Sequence, residues 1–175
     1  MGVKIVITGP ESVGKTTLTK ELSKIYDGIC IEEYARFYVE NLGRPYKYED
    51  VEYIANHQID SYDNHLNENR ILFFDTFLEI TKVWFEQVYH KIPSWFNREY
   101  EKRPVDLYLL CKPDIDWKKD NVRENGHKRD YLFDEYQSIL DSLGLRYEII
   151  SGSGKQRIKN AIEKIENINI RPIVK

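Results

Sequence analysis

The sequence predicts an α/β fold, a three-layer α/β/α sandwich around a five-stranded parallel sheet, on three observations. Short apolar runs rich in β-branched and aromatic residues alternate with helical patterns along the chain, an order that covers both faces of a parallel sheet with helices. Residues 9–16 read Gly-Pro-Glu-Ser-Val-Gly-Lys-Thr, a full G-x-x-x-x-G-K-[ST] pattern directly after the first apolar run. The third apolar run, residues 71–74, ends in Asp75. Together these predict a P-loop NTPase domain with the architecture of nucleoside and nucleotide kinases.

Each element has its own signal. Strand one spans residues 3–8. Helix one spans residues 15–26 with Leu18, Leu22 and Ile25 on one face, and Gly28 suits its exit. Strand two covers residues 29–32, and a helical stretch opens near Tyr34 until Gly43-Arg44-Pro45 breaks it. A long helix follows, with Val51, Ile54, Ala55, Ile59, Tyr62 and Leu66 at helical spacing. After strand three, residues 77–89 are apolar nearly all round, which predicts a buried helix; Pro93 interrupts it or starts another. Strand four is residues 105–111. Residues 112–130 are polar and charged, and the amphipathic helix carrying Leu132, Tyr136, Ile139 and Leu140 comes next, stopped by Gly144. Strand five is residues 146–150, and a last helix carries Ile158, Ala161, Ile162 and Ile165. The reading is one domain over residues 1–167, with a lid at about 112–130 and a tail at 168–175.

Composition narrows the function. The chain has 175 residues, 41% hydrophobic and 31% charged, with a net charge of −3. It presents no broad basic surface, so nucleic acid is not the expected partner. Cys30 and Cys111 lie in strand-like runs without a C-x-x-C partner and read as reduced core thiols. No apolar run is long enough to span a membrane, and the N-terminus begins with the first strand rather than a leader, so a cytoplasmic protein is expected. Nothing in the sequence sets the oligomeric state.

Ligands of open parallel sheets bind beyond the carboxyl ends of the strands, so those ends supply the site. In the phosphate loop Gly9, Glu11, Ser12, Val13 and Gly14 bring backbone N–H groups toward a polyphosphate, with Thr17 beside them in the first helical turn. Lys15 adds a point charge and the Thr16 hydroxyl a magnesium ligand. Asp75 stands where a carboxylate completes the metal site, and it also suits the N-cap of the next helix. After strand two, Glu33, Tyr34 and Arg36 place a carboxylate, an aromatic ring and a cation beside the γ-phosphate. A carboxylate there can deprotonate an acceptor hydroxyl, and a ring can stack on a flat base. Tyr34, Phe37 and Tyr38 at helical spacing equally suit a core face. In the lid, Arg123 is the first choice for neutralising the transferring phosphoryl group, and Arg129 the second.

Several P-loop classes are disfavoured. The chain has no N-K-x-D guanine reader, no D-x-x-G after Asp75 and no L-S-G-G-Q. Residues 151–156 look like a second phosphate loop, but the required first glycine is Ile149, so they read as a turn that borders the adenine.

One family carries the whole combination. Glu11-Ser12 within the loop, Glu33-Tyr34-Ala35-Arg36-Phe37, His57-Gln58, Phe74-Asp75-Thr76 and Pro113-Asp114-x-x-Trp117-x-x-Asp120-x-x-Arg123 resemble the ribosylnicotinamide kinase domains of the NadR family and their stand-alone relatives. The similarity covers residues 3–165. It implies an ATP- and Mg2+-dependent kinase acting on the ribose 5′-hydroxyl of nicotinamide riboside to give nicotinamide mononucleotide. Lys15 and Thr16 would serve ATP and metal, Glu33 or Asp75 would be the general base, and Tyr34, Trp84 and Trp117 would be ring-stacking candidates. The family's Asp-Gly-x-Arg lid motif reads Asp120-Asn121-Val122-Arg123 here, and Asn tolerates the left-handed backbone such a turn needs. The larger regulator's adenylyltransferase H-x-G-H element and DNA-binding domain are missing, so the kinase step alone is expected. Two alternatives stay open: another P-loop small-molecule or nucleoside kinase, and a nucleotide-gated regulatory module that phosphorylates no acceptor.

Overall fold

The computed structural model describes residues 2–117 and 126–169. Its centre is a sheet of five parallel strands in the order β2-β3-β1-β4-β5. They are β1 (Lys4–Thr8), β2 (Ile29–Ile31), β3 (Leu72–Asp75), β4 (Leu107–Cys111) and β5 (Tyr147–Ile150). The expected fold is the observed one. β1 sits in the middle, paired with β3 on one side and β4 on the other, so the chain leaves it at the centre of the sheet's carboxyl edge.

Strand side chains alternate between two cores, as a period of two requires. Ile5, Ile7, Phe73, Leu107 and Leu109 face α1 (Lys15–Ile25) and α7 (Gly154–Glu166), meeting Leu18, Leu22, Ala161 and Ile165. Val6, Phe74, Tyr108 and Leu110 face the larger cluster, built from α3 (Tyr48–Asn64), α4 (Leu78–Gln87), α5 (Phe96–Glu101) and α6 (Arg129–Ser142). Both faces of the sheet are therefore covered, which is why its strands read as continuous apolar runs.

The joints show how particular residues set the boundaries. α1 exits through Asp27 at φ 50, so the left-handed residue is Asp27 rather than Gly28. Gly28 is instead a point of close approach, since a Cβ there would stand 2.7 Å from the Ile71 carbonyl oxygen. The break between α2 (Tyr34–Asn41) and α3 is pinned by Asp50, which is buried. Its carboxylate takes two bonds from Arg44, at 2.6 and 2.8 Å, and others from the Tyr38 hydroxyl and the Lys47 amide. Arg44 first, then the Lys47 and Tyr38 donors, hold this carboxyl well below the usual carboxylate range against the opposing effect of burial.

Other expectations need correction. The N-cap of α4 is Phe77, so Asp75 caps no helix. That helix is buried as predicted, but Glu79 and Lys82 are buried with it. Cys111 is a core thiol, whereas Cys30 is only partly buried. Residues 151–153 form the turn into α7, and residues 154–156 already belong to that helix. Among the described residues no helix is long and apolar enough to cross a membrane.

Candidate active site

The site begins where β1 ends. Gly9 takes φ 128, and a Cβ there would lie 2.7 Å from the Cys111 carbonyl oxygen, so only glycine fits between β1 and β4. Ser12 at φ 58 and Gly14 at φ 78 turn the backbone left-handed twice before α1 starts at Lys15. Alternation of this kind makes a concave nest of N–H groups. Val13 is fully buried and anchors the loop from beneath. The Lys15 ammonium donates to the carbonyls of Gly9 and Pro10, at 2.9 and 2.8 Å. Thr16 and Thr17 are exposed on the first turn of α1, which contains no acidic residue to cancel the positive helix end.

Asp75 pairs in register with Ile7, one strand over from the loop. It is 1% exposed, and neither carboxylate oxygen has a hydrogen-bond partner among the described residues. Burial raises its pKa, and the Lys15 ammonium, the Thr16 hydroxyl and Lys20 oppose that shift without cancelling it. Thr76, next in the chain, holds φ 66. A β-branched residue in that region is strained, and such strain concentrates at functional sites. A buried, unpartnered acid beside a phosphate loop suits a hard cation. Among the described residues there is no group of three or more His, Cys, Asp or Glu that could hold a metal by itself. Magnesium at this place would rest on Thr16 and Asp75 together with phosphate oxygens and water, its usual habit.

Beside these two features lies an open cleft, lined by Thr16, Lys20, Glu32, Glu33, Arg36, Phe37, Glu40 and Asp75. Glu33 stands at the N-cap of α2 and lines this cleft with Thr16. Arg36 pairs with Glu40 at 2.9 Å and Lys20 with Glu32 at 2.8 Å. Thus the structure brings together Lys15, Thr16, Glu33, Arg36 and Asp75, residues from three separate parts of the sequence.

The remaining predicted residues fall elsewhere. Tyr34 lies flat on the His57 ring, with centroids 3.4 Å apart and planes 5° apart, and lines a smaller neighbouring cavity with Gln58 and Thr76. Trp84 stacks on Tyr46 at 5.2 Å and lines neither cavity. Trp117 donates its indole N–H to Glu11 of the phosphate loop at 2.8 Å, and Gly126 lies against its ring. Arg129, buried at the start of α6, donates to the Ile115 carbonyl at 2.6 Å. Arg123 lies outside the described residues, as do residues 118–125 of the expected lid.

Three residues here escaped the sequence reading. Phe37 is 62% exposed in the cleft, although its spacing equally suited a core. Glu79 is fully buried; an acid in the first turn of an otherwise apolar helix was the available signal. Arg157, in the last helix, bonds to the phosphate loop, and nothing in its local sequence announces this.

The sheet order, the loop after the central strand and the acid on the adjacent strand define a P-loop domain of the kinase-like kind. The chain belongs to the AAA domain family, which matches residues 4–157. It is similar to the trifunctional NAD biosynthesis/regulator protein NadR of Escherichia coli (strain K12), 27% identical over an alignment of 141 residues that covers 78% of this chain and 34% of that protein. The chain thus spans about a third of the curated relative it matches. Among solved structures, NadR protein in complex with NR gives a TM-score of 0.81 at 24% identity, covering 95% of this chain and 51% of that one. Thymidylate kinase from Candida albicans gives 0.71 at 17% identity, covering 99% and 96%. Likeness at these identities establishes a shared fold.

Proposed function

We propose that this protein is an ATP-dependent kinase that phosphorylates the ribose 5′-hydroxyl of a riboside, with nicotinamide riboside the acceptor that its resemblances favour. The observation that carries this reading is the single cleft joining Thr16 and Asp75 to Glu33 and Arg36. A nucleotide-binding loop alone needs no such acid-lined space beside it.

The residues divide the work by their surroundings. The phosphate loop N–H groups and Lys15 hold the β- and γ-phosphates, and the helix end behind them favours the anion. Magnesium held by Thr16 and Asp75 would supply charge neutralisation as the phosphoryl group passes. Glu33 is the better proton acceptor. Both carboxylates line the open cleft, but Glu33 is only partly buried, where an alcohol can reach it, whereas Asp75 is 1% exposed beside Thr16. In the transfer the acceptor oxygen bonds to the γ-phosphorus, the bond to the β-γ bridging oxygen breaks, ADP leaves and the hydroxyl proton passes to Glu33. Arg36, which lines the same cleft and pairs with Glu40, adds a positive charge beside the acceptor.

The test is ADP release and product mass across nicotinamide riboside, deoxynucleosides and nucleoside monophosphates. A riboside product heavier by one phosphoryl group supports the reading. Turnover of deoxynucleosides alone moves the protein to another nucleoside kinase class. Nucleotide binding with no phosphorylated product makes it a regulatory module.

A further inference from the structure

We propose that Gln58 and Glu79 are positioning residues for Asp75: together they clamp the backbone of Phe77 and so hold the left-handed turn at Thr76 that fixes where the Asp75 carboxylate points. This rests on the reading of Asp75 as a magnesium ligand and names what keeps that ligand in place.

The turn between β3 and α4 is costly as built. Thr76 takes φ 66, a region that a β-branched side chain enters only under strain. Its hydroxyl is buried with no hydrogen-bond partner among the described residues, so the side chain does not recover that cost locally. Strain of this kind persists only where the surroundings over-determine the backbone. Thr76 is the single residue between Asp75, the last of β3, and Phe77, the N-cap of α4, so a change in its φ must be taken up by those two neighbours.

Both backbone polar groups of Phe77 are held by buried side chains. Its amide donates to Glu79 Oε1 at 3.0 Å, and its carbonyl accepts from Gln58 Nε2 at 3.1 Å. Gln58 belongs to α3 and Glu79 to α4, so two helices grip the turn. The Thr81 hydroxyl donates to Gln58 Oε1 at 3.4 Å, which leaves Nε2 as the end that faces Phe77. On the strand side the Thr76 amide donates to the Ile7 carbonyl at 3.0 Å. The Phe77 ring, also buried, packs against Tyr62 and Phe74. An ordinary helix start is capped by one short polar side chain. Here a fully buried acid and a buried amide from another helix converge on one residue, two positions from the metal ligand. Of the His57-Gln58 pair in the sequence, His57 lies on Tyr34 and Gln58 serves this turn.

Isothermal titration with a non-hydrolysable ATP analogue, with and without magnesium, tests the clamp, and melting temperatures are read alongside. The proteins are wild type, Gln58→Leu, Glu79→Leu, Glu79→Gln and the double variant Gln58→Leu/Thr76→Gly. Each single leucine variant should bind the magnesium complex roughly 5- to 15-fold more weakly, and the metal-free analogue within about twofold of wild type. Glu79→Gln still accepts from the Phe77 amide and should match wild type. Glycine adopts a positive φ without strain, so the double variant should regain most of what Gln58→Leu loses, which a merely structural role would not produce. Leucine variants that melt earlier yet bind the magnesium complex normally overturn the clamp. Equal losses with and without magnesium overturn its action through Asp75. A loss in Glu79→Gln as large as in Glu79→Leu overturns the part given to the amide bond, and failure of Thr76→Gly to rescue overturns the part given to strain. Wild type that binds the analogue equally with and without magnesium overturns the metal reading of Asp75 and this proposal with it. Wild type that binds the magnesium complex but phosphorylates no acceptor overturns the kinase reading alone.

Discussion

Arg157 donates through Nη1 to the carbonyl oxygen of Val13 at 2.7 Å, so the last helix is bonded to the underside of the phosphate loop. The same guanidinium donates to the carbonyls of Gly152 and Lys112, at 2.6 and 3.1 Å, and to the Asp114 carboxylate. It is 3% exposed. One planar cation thereby ties together the loop after β1, the segment after β4 and the turn after β5. Arg157→Ala should cost about 3 kcal/mol of stability, because it leaves buried carbonyls without their donor and Asp114 with the Gly152 amide alone. It should also weaken nucleotide binding several-fold. Arg157→Lys should rescue little, since an ammonium lacks the fork that spans these acceptors. Urea denaturation paired with nucleotide titration of both variants checks this.

Asp75 gives a case where function and stability pull apart. Its carboxylate is buried with no hydrogen-bond partner among the described residues, an arrangement that costs folding free energy and is kept where a ligand needs it. Asp75→Asn should lower kcat by about 10²- to 10³-fold and raise the magnesium requirement, yet unfold at a higher temperature than wild type. Glu33→Gln should lower kcat by about 10²-fold with little change in Tm or in magnesium dependence. Thermal melts and magnesium titrations of the two variants, side by side, separate metal ligand from base.

Glu79 carries the clearest pH signature. It is fully buried, one oxygen accepts from the Phe77 amide at 3.0 Å, and the other has no partner among the described residues. Burial pushes its pKa from the ordinary 4.5 to about 7, with the Phe77 amide, Thr8 and Lys15 opposing. The folded state therefore keeps a proton that the unfolded chain has lost between pH 4.5 and 7. Stability should fall as pH rises through that window, by about 3 kcal/mol in all, and level off above it. Glu79→Gln keeps the amide acceptor and removes the ionisation, so its stability should be flatter from pH 5 to 8. Chemical denaturation at several pH values measures both slopes.

The fold was legible because its signals are local. The loop motif follows β1 without a gap, β3 ends in Asp75, and α1, α3, α6 and α7 each show an apolar period. That Lys15, Thr16 and Asp75 would stand together at the strand ends was legible for the same reason. The lining of the cleft beside them was not, because it depends on contacts between distant elements. Spacing put Tyr34, Phe37 and Tyr38 on one helix but said nothing of His57, on α3, covering Tyr34 and leaving Phe37 in the open. The position of Trp84 shows the same limit: an aromatic on a buried helix found Tyr46 as its partner rather than the cleft. Arg157 and Asp114 are 43 residues apart in sequence and meet only once β4 and β5 pair.

The central claim is that the loop from Gly9 to Thr16 grips a magnesium–nucleotide complex beside an acceptor cleft. Isothermal titration of the folded chain with magnesium and a non-hydrolysable ATP analogue tests it most directly, with Lys15→Ala as the control. The account predicts one saturable site in wild type and at least about 10²-fold weaker binding in Lys15→Ala, with the two proteins giving the same circular dichroism spectrum. No heat of binding from well-folded wild type, or equal binding by Lys15→Ala, would contradict it.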